Sequence, residues 1–206
     1  RIVEGGWPIE GDRRNMGNDT CRGQWVLEID ADEHIPPELA TEIRSTIQKN
    51  DADYFLIPVD NYVGGNLVRY GWGAQFGKAS ASCLCRKGVK RWGNDRVHPK
   101  LHWKEGARRG IKLQNRLVHY VDDNISDMIR RFDSYTTARA KDLLDSGDIG
   151  TMPHNARRII SRFWRCFISR KGYREGGYGF LIATFAALYP MVSHIKARYE
   201  ADRLKS

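Results

Sequence analysis

Trp25-Val26-Leu27-Glu28-Ile29-Asp30-Ala31-Asp32-Glu33 is the stretch on which the fold turns. Its first five residues form an apolar, β-prone run, and the run stops at three carboxylates around one alanine. In open α/β sheets, ligands sit at strand ends. Carboxylates gathered there suit a hard divalent cation such as Mg²⁺, which takes one or two protein oxygens and completes its shell with substrate phosphates. An acidic turn between strand and helix also serves to cap the helix that follows, and spacing leaves both readings open. The next segment is helical. Pro36 and Pro37 suit a first turn, Glu38 favours the positive helix end, and Leu39, Ile43 and Ile47 recur on one face. Tyr54-Phe55-Leu56-Ile57-Pro58-Val59 then reads as a strand, with Pro58 confining it to an edge or a strand end. Strand, acidic turn, helix, strand predicts an α/β fold with the acidic turn at the edge of a sheet.

The chain has 206 residues, material for one sizeable domain with an appendage, and 41% hydrophobic and 11% aromatic content excludes wholesale disorder. Cys21, Cys83, Cys85 and Cys166 are irregularly spaced, and a lone C-x-C lacks the second pair of a zinc site. Reduced thiols in a cytosolic compartment are expected, and no signal-peptide pattern is visible. The net charge of +9 is uneven: from Arg157 onward eleven Lys and Arg face three acids, leaving about +1 for everything before.

Tyr62-Val63-Gly64-Gly65-Asn66 through Gly71-Trp72-Gly73 reads as turns and loops. The basic stretch Arg86-Lys87-Gly88-Val89-Lys90-Arg91 reads as a solvated loop in preference to a phosphate contact. Leu113 to Tyr120 predicts a short strand. Asn124 is placed to cap a helix with Ile125, Met128, Ile129, Phe132 and Tyr135 on one face and Gly147 as terminator. The stretch from Gly150 to Asn155 is the expected boundary between a 1–150 domain and a 151–206 tail. In the tail, Ile159, Ile160, Phe163, Trp164, Phe167 and Ile168 oppose Arg158, Ser161, Arg162, Arg165 and Ser169. An apolar, aromatic face against an arginine face is the pattern of a helix lying in a membrane interface; Arg158, Arg162, Phe163, Trp164, Arg165 and Phe167 are its contact candidates. Packing of the same helix on its own domain is the competing reading. Gly177 to Ile195 carries no formal charge and approaches the ~20 residues of a span. Its Gly, Thr, Pro, Ser and His content favours shallow insertion or burial against the first tail helix.

The order of these motifs resembles bacterial family 2 glycosyltransferases of the lipopolysaccharide-core type. Gly11-Asp12-Arg13-Arg14-Asn15 is similar to the family's Gly-x-x-Arg-Asn, and the Trp25 to Glu33 run to its Trp-(apolar)-Leu-x-(apolar)-Asp-Ala-Asp-Glu. Ile57-Pro58, Gly71-Trp72, Val97-His98, Leu117-Val118-His119-Tyr120 and an aromatic, basic tail follow in sequence. The resemblance implies a partial GT-A, Rossmann-like sheet and inverting transfer of a sugar from a nucleotide-sugar donor to a cell-envelope glycan or lipid-linked acceptor. It implies Arg14, Asn15, Asp30 and Asp32 beside the donor, although helix capping competes for Asn15. Asp32, with Asp30, would be the ligand of a divalent metal (Mg or Mn) that offsets charge on the departing diphosphate. Glu33, His98 and His119 are the candidates for the general base.

Three departures accompany the match. Pro99 stands where many relatives have Glu after Val-His, and Ala74-Gln75 where many have Pro-Asp. The sequence also starts at Arg1 without the βα units that hold the nucleotide base and ribose in the family. A fragment or a degenerate, non-catalytic relative is therefore expected, and the isolated chain is expected to be inactive. The partners implied are the donor, the acceptor and an anionic inner-membrane surface, with the protein cytoplasmic and peripherally attached. A basic nucleic-acid-binding module is the alternative of a different class. No RRM, KH or helix-turn-helix pattern supports it, and a tail rich in Phe and Ile suits lipid better, so nucleic acid is not an expected partner.

Overall fold

The computed structural model describes residues 2–49, 51–73, 76–94 and 99–205. Ala74, Gln75, Val97 and His98, singled out above, lie outside the described residues. The elements in chain order are α1 (Glu10–Thr20), β1 (Trp25–Leu27), β2 (Glu33–His34), α2 (Pro37–Lys49), β3 (Tyr54–Val63), β4 (Asn66–Val68), β5 (Ser80–Arg86), β6 (Lys90–Trp92) and β7 (Leu101–Trp103). There follow β8 (Arg109–Lys112), β9 (Leu117–Asp122), α3 (Ile125–Ser146), α4 (Met152–Trp164) with a π-helical continuation Arg165–Ser169, a 3₁₀ turn Gly172–Glu175, α5 (Gly176–Tyr199) and α6 (Ala201–Lys205). The fold is mixed α/β, as the strand–turn–helix–strand pattern predicts. Strands pair in the order β1-β5-β3-β9-β2, with β4 and β8 also on β3. Most ladders are antiparallel, and β8 runs parallel to β3.

The chain divides into two compact units, residues 1–60 with 80–119 and residues 61–79 with 120–206, the division falling inside β3 and β9. The expected boundary near residue 150 is not where the chain divides: α3, α4 and α5 share one unit. The reason lies in α5, whose Ile182, Ala183, Ala186 and Tyr189 are buried in one cluster with Met128 of α3, while Phe163 and Phe167 pack on the same cluster. Each fully buried large apolar side chain contributes roughly 1.5–3 kcal/mol, which makes the tail part of a core.

In the first unit, Leu39, Ile43, Phe55, Ile57, Leu84 and Leu117 form the core, with Ile47 packed against it. The four-residue stripe read from the sequence is the buried face of α2. Pro58 departs from expectation. β3 is ten residues long and central, and Pro58 lies inside it. The β5 ladder ends at the Pro58–Ser80 pair, so the missing N–H falls where β3 leaves this partner.

In the second unit, the side chain of Asn124 accepts the Asp127 N–H at 3.0 Å and Gly147 ends α3 with φ 70°. The buried stripe of α3 is narrower than expected. Met128 is fully buried, with Phe132 and Tyr135 packed near it, whereas Ile125 and Ile129 are about half exposed. Arg131, one turn from Met128, forks onto Asp122 at 3.0 and 2.6 Å and donates to the Phe76 carbonyl. The stretch Gly172–Tyr199 is long and apolar enough to cross a membrane, and half of its most apolar window is buried within the unit.

The Asp122 side chain is 3% exposed, so loss of Arg131 strips a buried carboxylate of its guanidinium. Arg131→Met is expected to lower unfolding stability by about 3–5 kcal/mol, read as a shifted urea midpoint. A change below about 0.5 kcal/mol would refute that assignment.

Candidate functional site

The site begins with a glycine. A Cβ on Gly11 of α1 would sit 2.0 Å from the Gly93 carbonyl oxygen, so only glycine lets the helix lie directly on the chain leaving β6. That close approach brings Asn15 onto the main chain of Trp92. Its amide donates to the Trp92 carbonyl and its oxygen accepts the Trp92 N–H, both at 2.9 Å. Asn15 therefore does not cap a helix end. It pins the middle of α1 to β6.

One residue earlier, Arg14 donates to both oxygens of Asp30 at 2.9 and 3.1 Å, and to Glu10 at 2.7 Å, with its guanidinium 5.0 Å from the Trp92 ring centroid. Burial alone would lower the Arg14 pKa. Hydrogen bonds and charges from Asp30 and Glu10 outweigh it and hold the group above its ordinary value. A single nitrogen, Arg14 Nη2, reaches both Asp30 oxygens while Nε goes to Glu10, and stacking on Trp92 holds the guanidinium in place. Behind Trp92, Glu28 accepts from the indole N–H at 3.1 Å and from Lys90 at 2.6 Å, and Lys90 also donates to the Ser82 carbonyl. Lys90 is 3% exposed. The basic stretch expected to be solvated is thus a β5–β6 turn that ends in a buried lysine.

The acidic turn closes on itself. The Glu33 N–H donates to the Asp30 carbonyl at 3.0 Å, and the Asp30 N–H donates to Glu33 Oε2 at 3.1 Å. Glu33 is buried and lies opposite His119 in the β2–β9 ladder. This register brings His119 Nε2 to 3.4 Å from Asp32 Oδ2. The Asp32 side chain is half exposed and that of His119 only 15% exposed. Asp30 is held by Arg14, Glu33 staples the turn, and Asp32 presents its carboxylate to solvent.

The donor set decides what the turn is able to hold. Among the described residues no group of three or more His, Cys, Asp or Glu is arranged to enclose a metal. Asp32 fits an ion that takes most of its oxygens from a substrate, as Mg²⁺ does with phosphates, whereas Asp30, the other expected ligand, is engaged by Arg14. Of the base candidates, Glu33 is committed to the turn, His119 faces Asp32, and His98 lies outside the described residues. Trp92, Glu28, Lys90 and Glu10 complete the site, although the sequence pattern assigns none of them a role in it. Glu28 sits inside the opening run, but besides Asn18 of α1 it is held by Lys90 and Trp92, both more than 60 residues away.

The tail candidates separate into two groups. Trp164 is 62% exposed and Arg165 is exposed, whereas Phe163 and Phe167 pack on the second unit's core. Arg158 donates to Asn155 Oδ1 at 3.3 Å and Arg162 to the Ala186 carbonyl at 3.4 Å.

No family model matches the chain. Over 178 residues it is 22% identical to a protein of Rickettsia bellii (strain RML369-C) named an uncharacterized glycosyltransferase, covering 82% of this chain and 60% of that protein. The chain therefore spans about three fifths of that relative's length. The relationship is distant.

The geometry separates scaffold from chemistry. Asn15→Ala strips two main-chain groups of Trp92 of their partner and is expected to cost about 1–3 kcal/mol. Asp32→Ala, at an exposed position, is expected to change stability by less than about 0.5 kcal/mol. Chemical denaturation of the two variants checks the contrast, and equal costs would contradict it.

Proposed function

We propose that this chain is the catalytic region of a metal-dependent, inverting glycosyltransferase of the family 2, lipopolysaccharide-core type. It moves a sugar from a nucleotide-sugar donor to a cell-envelope glycan or lipid-linked acceptor, at the cytoplasmic face of the inner membrane. The observation that carries this reading is the Arg14–Asp30 fork with the Asn15–Trp92 pairing beside it. Two motifs of the family resemblance, separate in sequence, meet on one side of one unit. The distant relative's name points the same way.

In this reading Arg14 neutralises Asp30 and orients the turn, while Asp32 faces the donor diphosphate. Asp32 would hold Mg²⁺ or Mn²⁺, which would supply Lewis-acid stabilisation of the leaving diphosphate. The proton of the acceptor hydroxyl goes to His119, a shielded imidazole whose Nε2 stands 3.4 Å from Asp32 Oδ2. Exposed Trp164 and Ile160, with Arg157 and Arg165 nearby on the same helix and its continuation, rest on an anionic membrane surface.

The test is turnover of nucleotide-sugar donors by the native full-length protein with Mg²⁺ or Mn²⁺. Asp32→Ala is expected to lower kcat/KM at least roughly 100-fold, the scale of several kcal/mol of charge stabilisation. His119→Gln is expected to lower kcat with little change in KM. Full activity of Asp32→Ala, or activity indifferent to EDTA, would sink the assignment.

A further inference from the structure

The contact between Arg14 and Asp30 is more than the fold requires. α1 is already fixed on β6 by the close approach of Gly11 and by the two Asn15–Trp92 hydrogen bonds, and the acidic turn is already closed by Glu33. The Arg14 and Asp30 side chains are 20% and 38% exposed, so water reaches both partners, and an ion pair in that setting contributes little net stability. What the contact does change is the chemistry of the turn. It occupies one of the two aspartates expected to hold a cation.

The guanidinium uses its donors unevenly. Nε donates to Glu10 at 2.7 Å, and Nη2 alone serves both Asp30 oxygens, at 2.9 and 3.1 Å. A guanidinium carries five N–H donors in a fixed fork. Among the described residues nothing accepts the two on Nη1. One nitrogen shared between two oxygens is a poorer arrangement than Nη1 and Nη2 set in parallel on two oxygens of one anion. Phosphate offers that parallel pairing. The Glu10 bond and the stacking 5.0 Å from the Trp92 ring centroid stay in place while the Nη edge changes partner.

We propose that Arg14 gates cation binding at the acidic turn. While the guanidinium lies on Asp30, the turn offers a divalent cation the Asp32 carboxylate alone. A diphosphate that draws Nη1 and Nη2 onto its own oxygens releases Asp30, two residues from Asp32 in the same closed turn, as a second carboxylate ligand. Diphosphate and cation therefore favour one another's binding, and by linkage the effect is reciprocal. The inference rests on the proposed reading of Asp32 as the residue that holds the metal, and adds to it how that site is regulated.

Binding of Mn²⁺ alone, read as loss of the free-ion electron paramagnetic resonance signal, tests the gate without turnover. Arg14→Gln is expected to bind Mn²⁺ at least roughly tenfold tighter than the native protein, because Asp30 joins Asp32. Asp30→Asn is expected to weaken binding at least roughly tenfold in the Arg14→Gln background, and by no more than about threefold in the native one. Arg14→Lys keeps the positive charge without the planar fork, and is expected to bind Mn²⁺ about threefold or more tighter than the native protein. It also keeps the test decisive if circular dichroism shows that Arg14→Gln does not fold. A gain confined to Arg14→Gln, or an Asp30→Asn cost equal in both backgrounds, would assign the effect to charge alone and overturn the gate. Mn²⁺ binding that Asp32→Ala abolishes, with one affinity in the native protein and both Arg14 variants, would overturn the gate and leave the metal role of Asp32 standing. No Mn²⁺ binding by any of these proteins would overturn both.

Discussion

The fork between Arg14 and Asp30 is the interaction on which the candidate site depends. A guanidinium on a helix and a carboxylate at the end of a strand lie sixteen residues apart in sequence and meet through two hydrogen bonds of 2.9 and 3.1 Å. A partly exposed ion pair alone is worth little, typically about 0–1 kcal/mol. Here both partners are positioned in advance. Gly11 lets α1 touch the chain after β6, Asn15 locks the register against Trp92, and Glu33 closes the acidic turn from the other side. With the entropy of orientation already met by neighbouring contacts, the fork specifies geometry more than it adds stability.

That geometry sorts three similar carboxylates into different states. Asp30 is neutralised by Arg14, Glu33 is buried and accepts a main-chain N–H, and Asp32 stands half exposed beside His119. Charge near Asp32 is thereby reduced without occupying Asp32 itself. A polyanionic ligand approaching the turn meets one available carboxylate instead of three, which moderates repulsion while leaving oxygen for a cation or a proton. Behind the turn, the Lys90–Glu28 pair is deeply buried and serves a different end. Glu28 also receives the Trp92 indole N–H. The charge of Lys90 is thus used to fix Trp92 in the place where Arg14 stacks.

How much of this was legible in the sequence depends on range. Local signals match the structure: the stripe of α2, the Asn124 cap and the Gly147 terminator each depend on residues within a few positions of one another. The acidic turn was legible as a cluster, but the distinct states of Asp30, Asp32 and Glu33 were not. Those states are set by Arg14 and by His119, which lies 87 positions after Asp32. Lys90 and Trp92 carry no such local signal because β6 is three residues long, too short for a period-two pattern to stand out. Pro58 misleads for a related reason. The rule against proline inside sheets assumes a ladder partner at every position, and β3 changes partners at Pro58.

The tail shows why an amphipathic pattern does not by itself name the surface that a helix meets. A stripe of Ile, Phe and Trp is equally satisfied by lipid and by another helix, and α4 uses both possibilities at once. Phe163 faces the core made by α5, while Ile160 and Trp164, one turn apart on the same helix, remain exposed. The long apolar run behind them is accounted for differently. Half of its most apolar window is buried against its own unit, and Ser193 and His194 within it are fully enclosed, with His194 Nδ1 3.0 Å from the Ile149 carbonyl. Ser193 donates to the Tyr189 carbonyl at 2.8 Å, so both polar side chains meet main-chain carbonyls within their own unit. Uncovered apolar surface in the tail is found on both helices, at Ile160 and Trp164 of α4 and at Phe180 and Ile195 of α5.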